Sequence, residues 1–269
     1  MTDPCNKTGF RPRQARRGAL VRQGATACLW VLLAGSASCG NATLDLFDPD
    51  LGLLGHWALD EAQAGAIAVD SSGFGNHGTS SANPPVPSAD VPPVHFQDAH
   101  SLSFNGVDQW IQMGNPGLLN LGGVISIAAW VRATAVDDYR NIVAHGYRWD
   151  PSYDLSLRIY SGSYQFTSWD SVDHAAIATV PPEDIGTWVH LCGVFDGSAF
   201  YLYRNGALAA STAEPTAPAA NVDATWAIGA RAPQPSGGTD YRYLQGQIDD
   251  VRIYGRALSG PEVEALYRR

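Results

Sequence analysis

The feature that constrains this chain most is the recurrence of short apolar segments separated by glycine, proline, asparagine and aspartate along most of its 269 residues. Segments of this length and composition are typical of β-strands joined by turns. The clearest strands are predicted at 54–59, 101–104, 110–113, 124–134, 141–145, 155–160, 164–168, 187–196, 199–204, 207–212, 224–229 and 246–254.

The last residues show the one helical signal. Ser259 and Glu262 have the spacing of a capping box, which predicts a short C-terminal helix. No strand alternates with a helix, so a parallel sheet is not expected. The sequence therefore predicts an all-β fold, an antiparallel two-sheet jelly-roll sandwich with a short C-terminal helix, formed by one domain over residues 54–269.

Alternation of apolar and polar residues assigns faces to two strands. In 154–160, Leu155, Leu157 and Ile159 should face the core. The opposite face should carry Asp154, Ser156, Arg158 and Tyr160, joined across the next turn by Gln165, Thr167 and Trp169.

Other local signals concern turns and the core. Asn205-Gly206 joins two apolar segments and predicts a tight hairpin. Cys192 lies in an apolar strand, so we expect a small core residue rather than a nucleophile. We expect Trp57, Trp130 and Trp188 to anchor the core.

The N-terminus has the pattern of an export signal. An arginine-rich stretch to Arg22 precedes an apolar run at 25–37, too short to span a bilayer. We predict a signal peptide at 1–38, a tether at 39–53, and a cell-envelope or extracellular location. The small residues before Cys39 resemble a bacterial lipobox, which would make Cys39 the lipidated first residue; ordinary cleavage after small residues is the alternative.

The charge of the remaining chain excludes one class of partner. Residues 39–269 contain 11 arginines, no lysine and 25 acidic residues, a formal charge of −14. Nucleic-acid binding needs a basic surface that neutralises phosphates. We therefore expect no nucleic-acid partner, and membrane association only through a lipid on Cys39.

An ordered set of segments resembles a known family. The segments are GHWALDE (55–61), VDSSGFGNHG (69–78), SLSFNGVDQWIQMG (101–114), ISIAAWVRA (125–133), GTWVHLCGVFDG (186–197) and GQIDDVRIYGRALSGPEVEAL (246–266). Together they resemble the laminin-G-like jelly-roll domains of the concanavalin A-like lectin/glucanase superfamily. The resemblance implies two curved sheets, one of them concave, with the N- and C-terminal strands adjacent.

The same resemblance implies a structural calcium ion. Its matching ligands here are Asp70 and Asn76 in the 69–78 segment and Asp249 in the last strand. Calcium takes six to eight oxygen ligands, which carboxylates, loop carbonyls and waters supply. The alternative is that Asp70 caps a turn and Asp249 accepts hydrogen bonds from backbone amides.

Catalysis is not expected. Glucanases of this fold carry a Glu-x-Asp-x-x-Glu strand with two carboxylates on either side of the glycosidic bond. None of the glutamates in 39–269 has that spacing; they are Glu61, Glu183, Glu214, Glu262 and Glu264. An aspartate pair, Asp154 with Asp170 or Asp173, leaves glycoside hydrolysis as a lesser alternative.

Carbohydrate binding is the function the sequence favours. Sugars are bound by aromatic rings and by planar polar groups, and both are concentrated in 139–174 and 239–243. The candidate ligand-binding residues are Tyr147, Arg148, Trp149, Asp154, Arg158, Tyr160, Trp169, Tyr241 and Tyr243. We predict a non-catalytic module for a glycan or glycoprotein. Two alternatives remain: arginines stacked on aromatics that only cover the sheet edges, and a protein-binding adhesion domain.

Overall fold

The computed structural model describes residues 47–147, 153–216, 218, 224–231 and 241–269, which form two antiparallel sheets and one α-helix. Strands are numbered along the chain. The eight-stranded sheet has the order β13 (Ala207–Ala213), β12 (Ala199–Arg204), β11 (Val189–Phe195), β6 (Ile125–Ala133), β15 (Gln245–Tyr254), β4 (Ser101–Asn105), β3 (Val86–Ser88), and β1 (Leu53–Trp57) also pairs with β15.

The seven-stranded sheet forms the second layer. Its order is β10 (Asp173–Thr179), β9 (Ser163–Trp169), β8 (Tyr153–Tyr160), β7 (Arg140–Tyr147), β14 (Trp226–Ile228), β5 (Ile111–Gly114), β2 (Thr79–Ser80). Short 3₁₀ turns occupy Gly117–Leu119 and Pro182–Asp184. The predicted all-β jelly-roll sandwich is confirmed, and so is the adjacency of the first and last strands.

The core lies between the sheets and follows the predicted alternation. Leu155, Leu157 and Ile159 are fully or almost fully buried in it. Gly193 of β11 faces Phe166 of the other sheet so closely that a Cβ atom there would lie 2.2 Å from the ring. The absence of a side chain at Gly193 lets the two sheets approach at this point.

Only two of the three tryptophans predicted to anchor the core are buried. Trp57 and Trp130 are buried as expected, but Trp188 is half-buried and donates its Nε1–H to Asp90, so its assignment as a core anchor is wrong. Trp226 of β14 is completely buried, and its Nε1–H donates to the carbonyl of Leu119. A strand of three residues gives too little pattern to reveal this from sequence.

Three local predictions are confirmed. Asn205 and Gly206 have φ values of 49° and 78°, as a type I′ turn between β12 and β13 requires. The helix α1 spans Gly260–Tyr267, and Glu262 Oε2 accepts the backbone N–H of Ser259 at 2.7 Å. Cys192 is buried, and burial raises the pKa of its thiol, as expected of a core residue.

The signal peptide predicted at 1–38 and the lipidation site at Cys39 lie outside the described residues. Phe47, in the segment predicted as a tether, packs against the apolar cluster beneath α1. Within the described part of the chain, no helix is long and apolar enough to cross a membrane.

Candidate functional site

Two distant segments meet at one end of the seven-stranded sheet. The cavity they enclose has a volume of about 240 Å³ and is lined by Gly106, Asp138, Tyr139, Arg140, Tyr241, Arg242 and Tyr243. Two hydrogen bonds hold the segments together. The backbone N–H of Asn141 donates to the carbonyl of Arg242 at 2.9 Å, and the side chain of Arg140 donates through Nη1 to the carbonyl of Tyr243 at 3.2 Å. We call this space the arginine–tyrosine cavity.

Tyr139 is stacked on both faces. Its ring centroid lies 3.6 Å from that of Tyr160, with 15° between the rings, and 3.7 Å from the guanidinium carbon of Arg242. Two groups this close to one centroid must lie on opposite faces of the ring. Neither face of Tyr139 is therefore open to a sugar. At Tyr139 the structure matches the alternative stated above, in which an arginine stacks on an aromatic ring. Tyr241 and Tyr243 stack on each other at 5.3 Å.

Arg158 connects the cavity to the outer face of the seven-stranded sheet. Its Nε donates to Gln165 Oε1 at 3.0 Å, and its Nη2 lies 3.7 Å from Asp173 Oδ1. The guanidinium carbon is 5.2 Å from the Tyr139 ring centroid. Burial lowers the pKa of Arg158, although the carboxylates of Asp154 and Asp173 oppose that shift. An arginine keeps its charge under such a shift.

The outer face next to Arg158 carries buried polar atoms that lack protein partners. β-pairing aligns Asp154 with Trp169, Ser156 with Thr167 and Arg158 with Gln165, so these residues share one face of the sheet, as predicted. The atoms without a hydrogen-bond partner among the described residues are Asn141 Oδ1 and Nδ2, Asp154 Oδ1, Ser156 Oγ and Thr167 Oγ1. We call Asn141, Asp154, Ser156 and Thr167 the polar floor. Leaving such an atom unpaired costs about 1–3 kcal/mol, so water or a ligand normally satisfies it.

The aspartates considered for hydrolysis each face a basic group. Asp154 Oδ2 forms a buried ion pair with Arg231, a residue that sequence reasoning missed because the two lie far apart in the chain. Asp170 Oδ1 lies 3.0 Å from His174 Nε2, and Asp173 lies near Arg158.

Comparison with known proteins identifies the family. Residues 105–264 match a laminin G-type family model described as the concanavalin A-like lectin/glucanases superfamily. The chain belongs to the concanavalin A-like lectin/glucanases superfamily. No curated protein sequence matches it.

Solved structures share the fold of this superfamily member. Domain 4 of AbnA, an extracellular GH43 arabinanase from Geobacillus stearothermophilus in complex with arabinotriose, has a TM-score of 0.61 at 21% identity, over 80% of this chain and 98% of that one. The binding domain of Paraclostridial Mosquitocidal Protein 1 has a TM-score of 0.62 at 14% identity, covering 82% and 52%. The binding domain of botulinum neurotoxin DC in complex with SialylT has a TM-score of 0.60 at 12% identity, also covering 82% and 52%. The chain thus spans about half the length of these toxin domains.

The structure brings several of the predicted ligand-binding residues together. Arg158, Tyr160, Tyr241 and Tyr243 lie in or beside the arginine–tyrosine cavity. Asp154 and Trp169 pair across β8 and β9 on the same outer face. Arg148 and Trp149 lie outside the described residues, as does the side chain of Tyr147, whose backbone ends β7. Asn141 and Arg242 were missed: the register of β7 aligns Asn141 with Arg158, and the Asn141 amide donates to the carbonyl of Arg242.

The calcium ligands implied by the family show two different environments. Asp70 is engaged with backbone: Oδ1 accepts the amides of His56 and Ser72, both at 2.9 Å, and Oδ2 accepts that of Asn76 at 2.8 Å. Asn76 Nδ2 donates to the carbonyl of Leu54 at 2.9 Å. For Asp70 this is the turn-capping arrangement named as the alternative.

Asp249 has an open oxygen. Its Oδ1 accepts the amide of Asp250 at 2.8 Å, but its buried Oδ2 has no partner among the described residues, and neither has Oδ2 of Asp98. Burial and the neighbouring carboxylates, which include Asp60, raise the pKa of both Asp98 and Asp249. In the described ranges no group of three or more His, Cys, Asp or Glu side chains is placed to hold a metal ion. A calcium ion at this position would have only the Asp98 and Asp249 carboxylates from this cluster, and loop carbonyls and waters would have to supply its other oxygen ligands.

Ser71, His56 and Asp250 are hydrogen-bonded in series. His56 lies 2.7 Å from Asp250 Oδ1 through Nε2 and 2.7 Å from Ser71 Oγ through Nδ1. The order resembles a nucleophile–base–acid triad. However, Arg252 makes three hydrogen bonds to Asp250 and holds the pKa of that carboxyl below its usual range against the effect of burial. The Asp250 charge is thus already balanced, and the series joins β1 to β15 and to the loop that begins at Ser71.

Proposed function

We propose that this chain is a non-catalytic module that binds a glycan, free or on a glycoprotein, at the outer face of the seven-stranded sheet. The observation that carries the proposal is the polar floor beside the arginine–tyrosine cavity. Its amide, hydroxyl and carboxylate oxygens, together with the Arg158 guanidinium, are the groups that bind sugar hydroxyls. Buried groups without protein partners are the ones a ligand would satisfy.

The dimensions favour a short ligand. A cavity of about 240 Å³ is smaller than the ~300–1,000 Å³ of typical drug-sized sites, so we expect it to hold one or two sugar residues rather than a long polymer. Tyr241 and Tyr243 supply the aromatic surface, since the faces of Tyr139 are occupied. The arabinotriose-bound and SialylT-bound relatives support a binding role for this fold.

Calcium and export are further parts of the proposal. A calcium ion held by Asp98, Asp249 and loop carbonyls would neutralise the half-buried carboxylate of Asp98 and the buried one of Asp249, and would stabilise the region where β15 meets the loop around Asp98. The ion would have a structural role and would take no part in ligand chemistry. The N-terminal pattern supports export, with Cys39 as the candidate lipid anchor.

A glycan array tests the binding proposal. The full chain is applied with calcium and again with a chelator, beside Trp169→Ala, Tyr243→Ala and the matched control Trp188→Ala, which alters a half-buried tryptophan of the other sheet. We expect binding that both site variants lose and the control keeps. An empty array from folded protein would contradict the proposal and favour the protein-binding adhesion domain.

A further inference from the structure

We propose that one side of the sandwich, formed by the edge strands β10 and β13, binds a second copy of this chain. The inference goes beyond glycan binding and does not depend on it. Three observations carry it: the unprotected edges of these two strands, their stacking at one side of the sandwich, and the lack of charge along them.

The two strands have edges that another strand can extend. β10 is the last strand of the seven-stranded sheet and β13 the last of the eight-stranded sheet, so each pairs with a described strand on one side only. Proteins usually block such an edge with lysine, proline, a bulge or a very short strand. Residues 175–179 and 207–213 contain no charged residue and no proline. A bulge at Ala209 interrupts β13, but β10 pairs with β9 in an unbroken register.

The opposite side of the sandwich is protected. There the seven-stranded sheet ends in β2, which has two residues, and the eight-stranded sheet ends in β3, which has three residues and contains Pro87. Short strands and proline leave little backbone that can pair with another strand. Of the two sides, the one formed by β10 and β13 is therefore the one that another copy can extend.

β10 and β13 are stacked, so one partner can contact both. β10 lies against β12 and β13 of the other sheet, and His174 Nδ1 of β10 lies 2.9 Å from Oε2 of Glu214, the residue after β13. Ile177 of β10 is 53% exposed and Leu208 of β13 is 55% exposed. A strand added beside each edge would place cross-strand neighbours next to both aliphatic side chains and bury part of them.

Charge and symmetry favour a second copy as the partner. Residues 39–269 contain 11 arginines and 25 acidic residues, a formal charge of −14, so two copies repel each other where acidic surfaces meet. Residues 175–179 and 207–213 add nothing to that repulsion. An antiparallel strand can pair with an identical strand about a two-fold axis, and such a contact closes after two copies. The expected assembly is therefore a dimer rather than an open chain of copies.

The size of this side predicts a weak dimer. A strand of seven residues is about 23 Å long and packed sheets lie ~10 Å apart, so two such sides would bury on the order of 1,000 Å² in total. Interfaces of that size are at the lower limit of specific association. We therefore expect a dissociation constant in the micromolar range.

The dimer would direct both proposed glycan sites the same way. A two-fold axis between paired edge strands runs perpendicular to the sheets, so the outer face of the seven-stranded sheet would point in one direction in both copies. Two sites on one face can bind a glycan-coated surface about 100-fold more tightly than a single site does. This consequence, unlike the dimer itself, rests on the proposed function.

Sedimentation velocity on the full chain tests the inference. Between about 1 and 200 μM we expect the average mass to rise toward twice the chain mass. Ile177→Lys and Ser211→Lys add a positive charge to each strand edge, which the two copies would have to bring together, so both variants should stay monomeric. Val86→Lys is the matched control, because Val86 is 51% exposed on β3 of the protected side, and it should leave the dimer unchanged. Near-ultraviolet circular dichroism checks that each variant is folded.

Hydrogen–deuterium exchange locates the contact. Backbone amides of β10 and β13 should exchange more slowly at high than at low protein concentration, whereas those of β2 and β3 should not change. A chain that stays monomeric up to about 200 μM, that assembles beyond two copies, or that still dimerises in both Ile177→Lys and Ser211→Lys overturns the inference. None of these results bears on glycan binding by a single copy, and an empty glycan array would leave the dimer intact.

Discussion

The guanidinium carbon of Arg242 lies 3.7 Å from the centroid of the Tyr139 ring, and Tyr160 covers the other face of that ring. The contact joins the connection before β7 to the segment before β15. It therefore ties the position of a charged group at the cavity to Tyr139, whose two faces are both covered. In the proposed glycan site, arginine and hydroxyl groups would consequently make the polar contacts, with Tyr241 and Tyr243 as the neighbouring aromatic surface.

We expect Gly193→Ala to destabilise the sandwich. A Cβ at Gly193 would lie 2.2 Å from the Phe166 ring, so the two sheets would have to separate or the ring would have to move. Overpacking of this kind costs about 1–3 kcal/mol. The free energy of unfolding, measured with urea, should fall by that amount, whereas Gly117→Ala, with no atom within 4 Å of the new methyl group, should change it by less than about 0.5 kcal/mol. Equal effects at the two positions would show that the sheet contact is misassigned.

We expect calcium to raise the melting temperature through Asp98 and Asp249. At a calcium concentration about 100 times the dissociation constant, the gain would be ~2.7 kcal/mol. Asp249→Asn and Asp98→Asn should abolish the response to calcium in differential scanning calorimetry. Asp70→Asn should lower the baseline stability, because Asp70 accepts three amides, yet retain the response. A response that survives Asp249→Asn, or that disappears in Asp70→Asn, would contradict this assignment.

The His174 contacts should make stability depend on pH. Burial opposes the charge of His174, but the hydrogen bonds that its ring donates to Glu214 and Asp170 outweigh burial and raise its pKa. The Thr216 amide and His174 in turn lower the pKa of Glu214 to about 2. A raised histidine pKa stabilises the fold below its ordinary value of about 6.5, and the gain is lost as pH rises through the folded value. The lowered Glu214 pKa stabilises above the ordinary value of about 4.3, and the gain is lost as pH falls toward 2.

The stabilising window for this pair of contacts is therefore roughly pH 4.3–6.5. His174→Gln should lower the melting temperature more at pH 5.5 than at pH 8.5 in thermal melts. His95→Gln, at an exposed histidine, provides the control. A loss that is the same at both pH values would mean that the protonated imidazole does not stabilise the fold.

Ser71 should be unreactive despite its hydrogen bond to His56. Because Arg252 already balances the Asp250 carboxylate, we expect no activation of the serine hydroxyl. A fluorophosphonate probe followed by peptide mass spectrometry should leave Ser71 unmodified at pH 7.5, as it should Ser198, which lies beside Asp196 without a histidine. Selective modification of Ser71 would contradict this prediction and would indicate that Ser71, His56 and Asp250 have a catalytic role.

The local sequence pattern was sufficient to predict the structural features that depend only on residues close together in the chain. Alternation was enough to place Asp154, Arg158, Gln165 and Trp169 on one face, and Asn205-Gly206 was enough for the hairpin. These features follow from strand period and turn chemistry, which a single sequence contains.

Long-range contacts could not be predicted in this way. Asp154 forms its ion pair with Arg231. Asp249 has a carboxylate oxygen with no partner among the described residues, and so does Asp98. Both depend on loops whose path is set by packing rather than by local pattern. Trp188 was misassigned for a related reason, since nothing in its own segment reveals that Asp90 would accept its indole N–H.

The measurement that tests the central claim most directly is the affinity of the best array ligand for variants of the polar floor. Ser156→Ala and Thr167→Val remove buried hydroxyls that have no hydrogen-bond partner in the described part of the chain, with little change in volume. Each should weaken binding in titration calorimetry by about fivefold or more while leaving the melting temperature unchanged or higher. Thr212→Val, on exposed β13, is the matched control. Unchanged affinity in both floor variants would contradict a glycan site on this face.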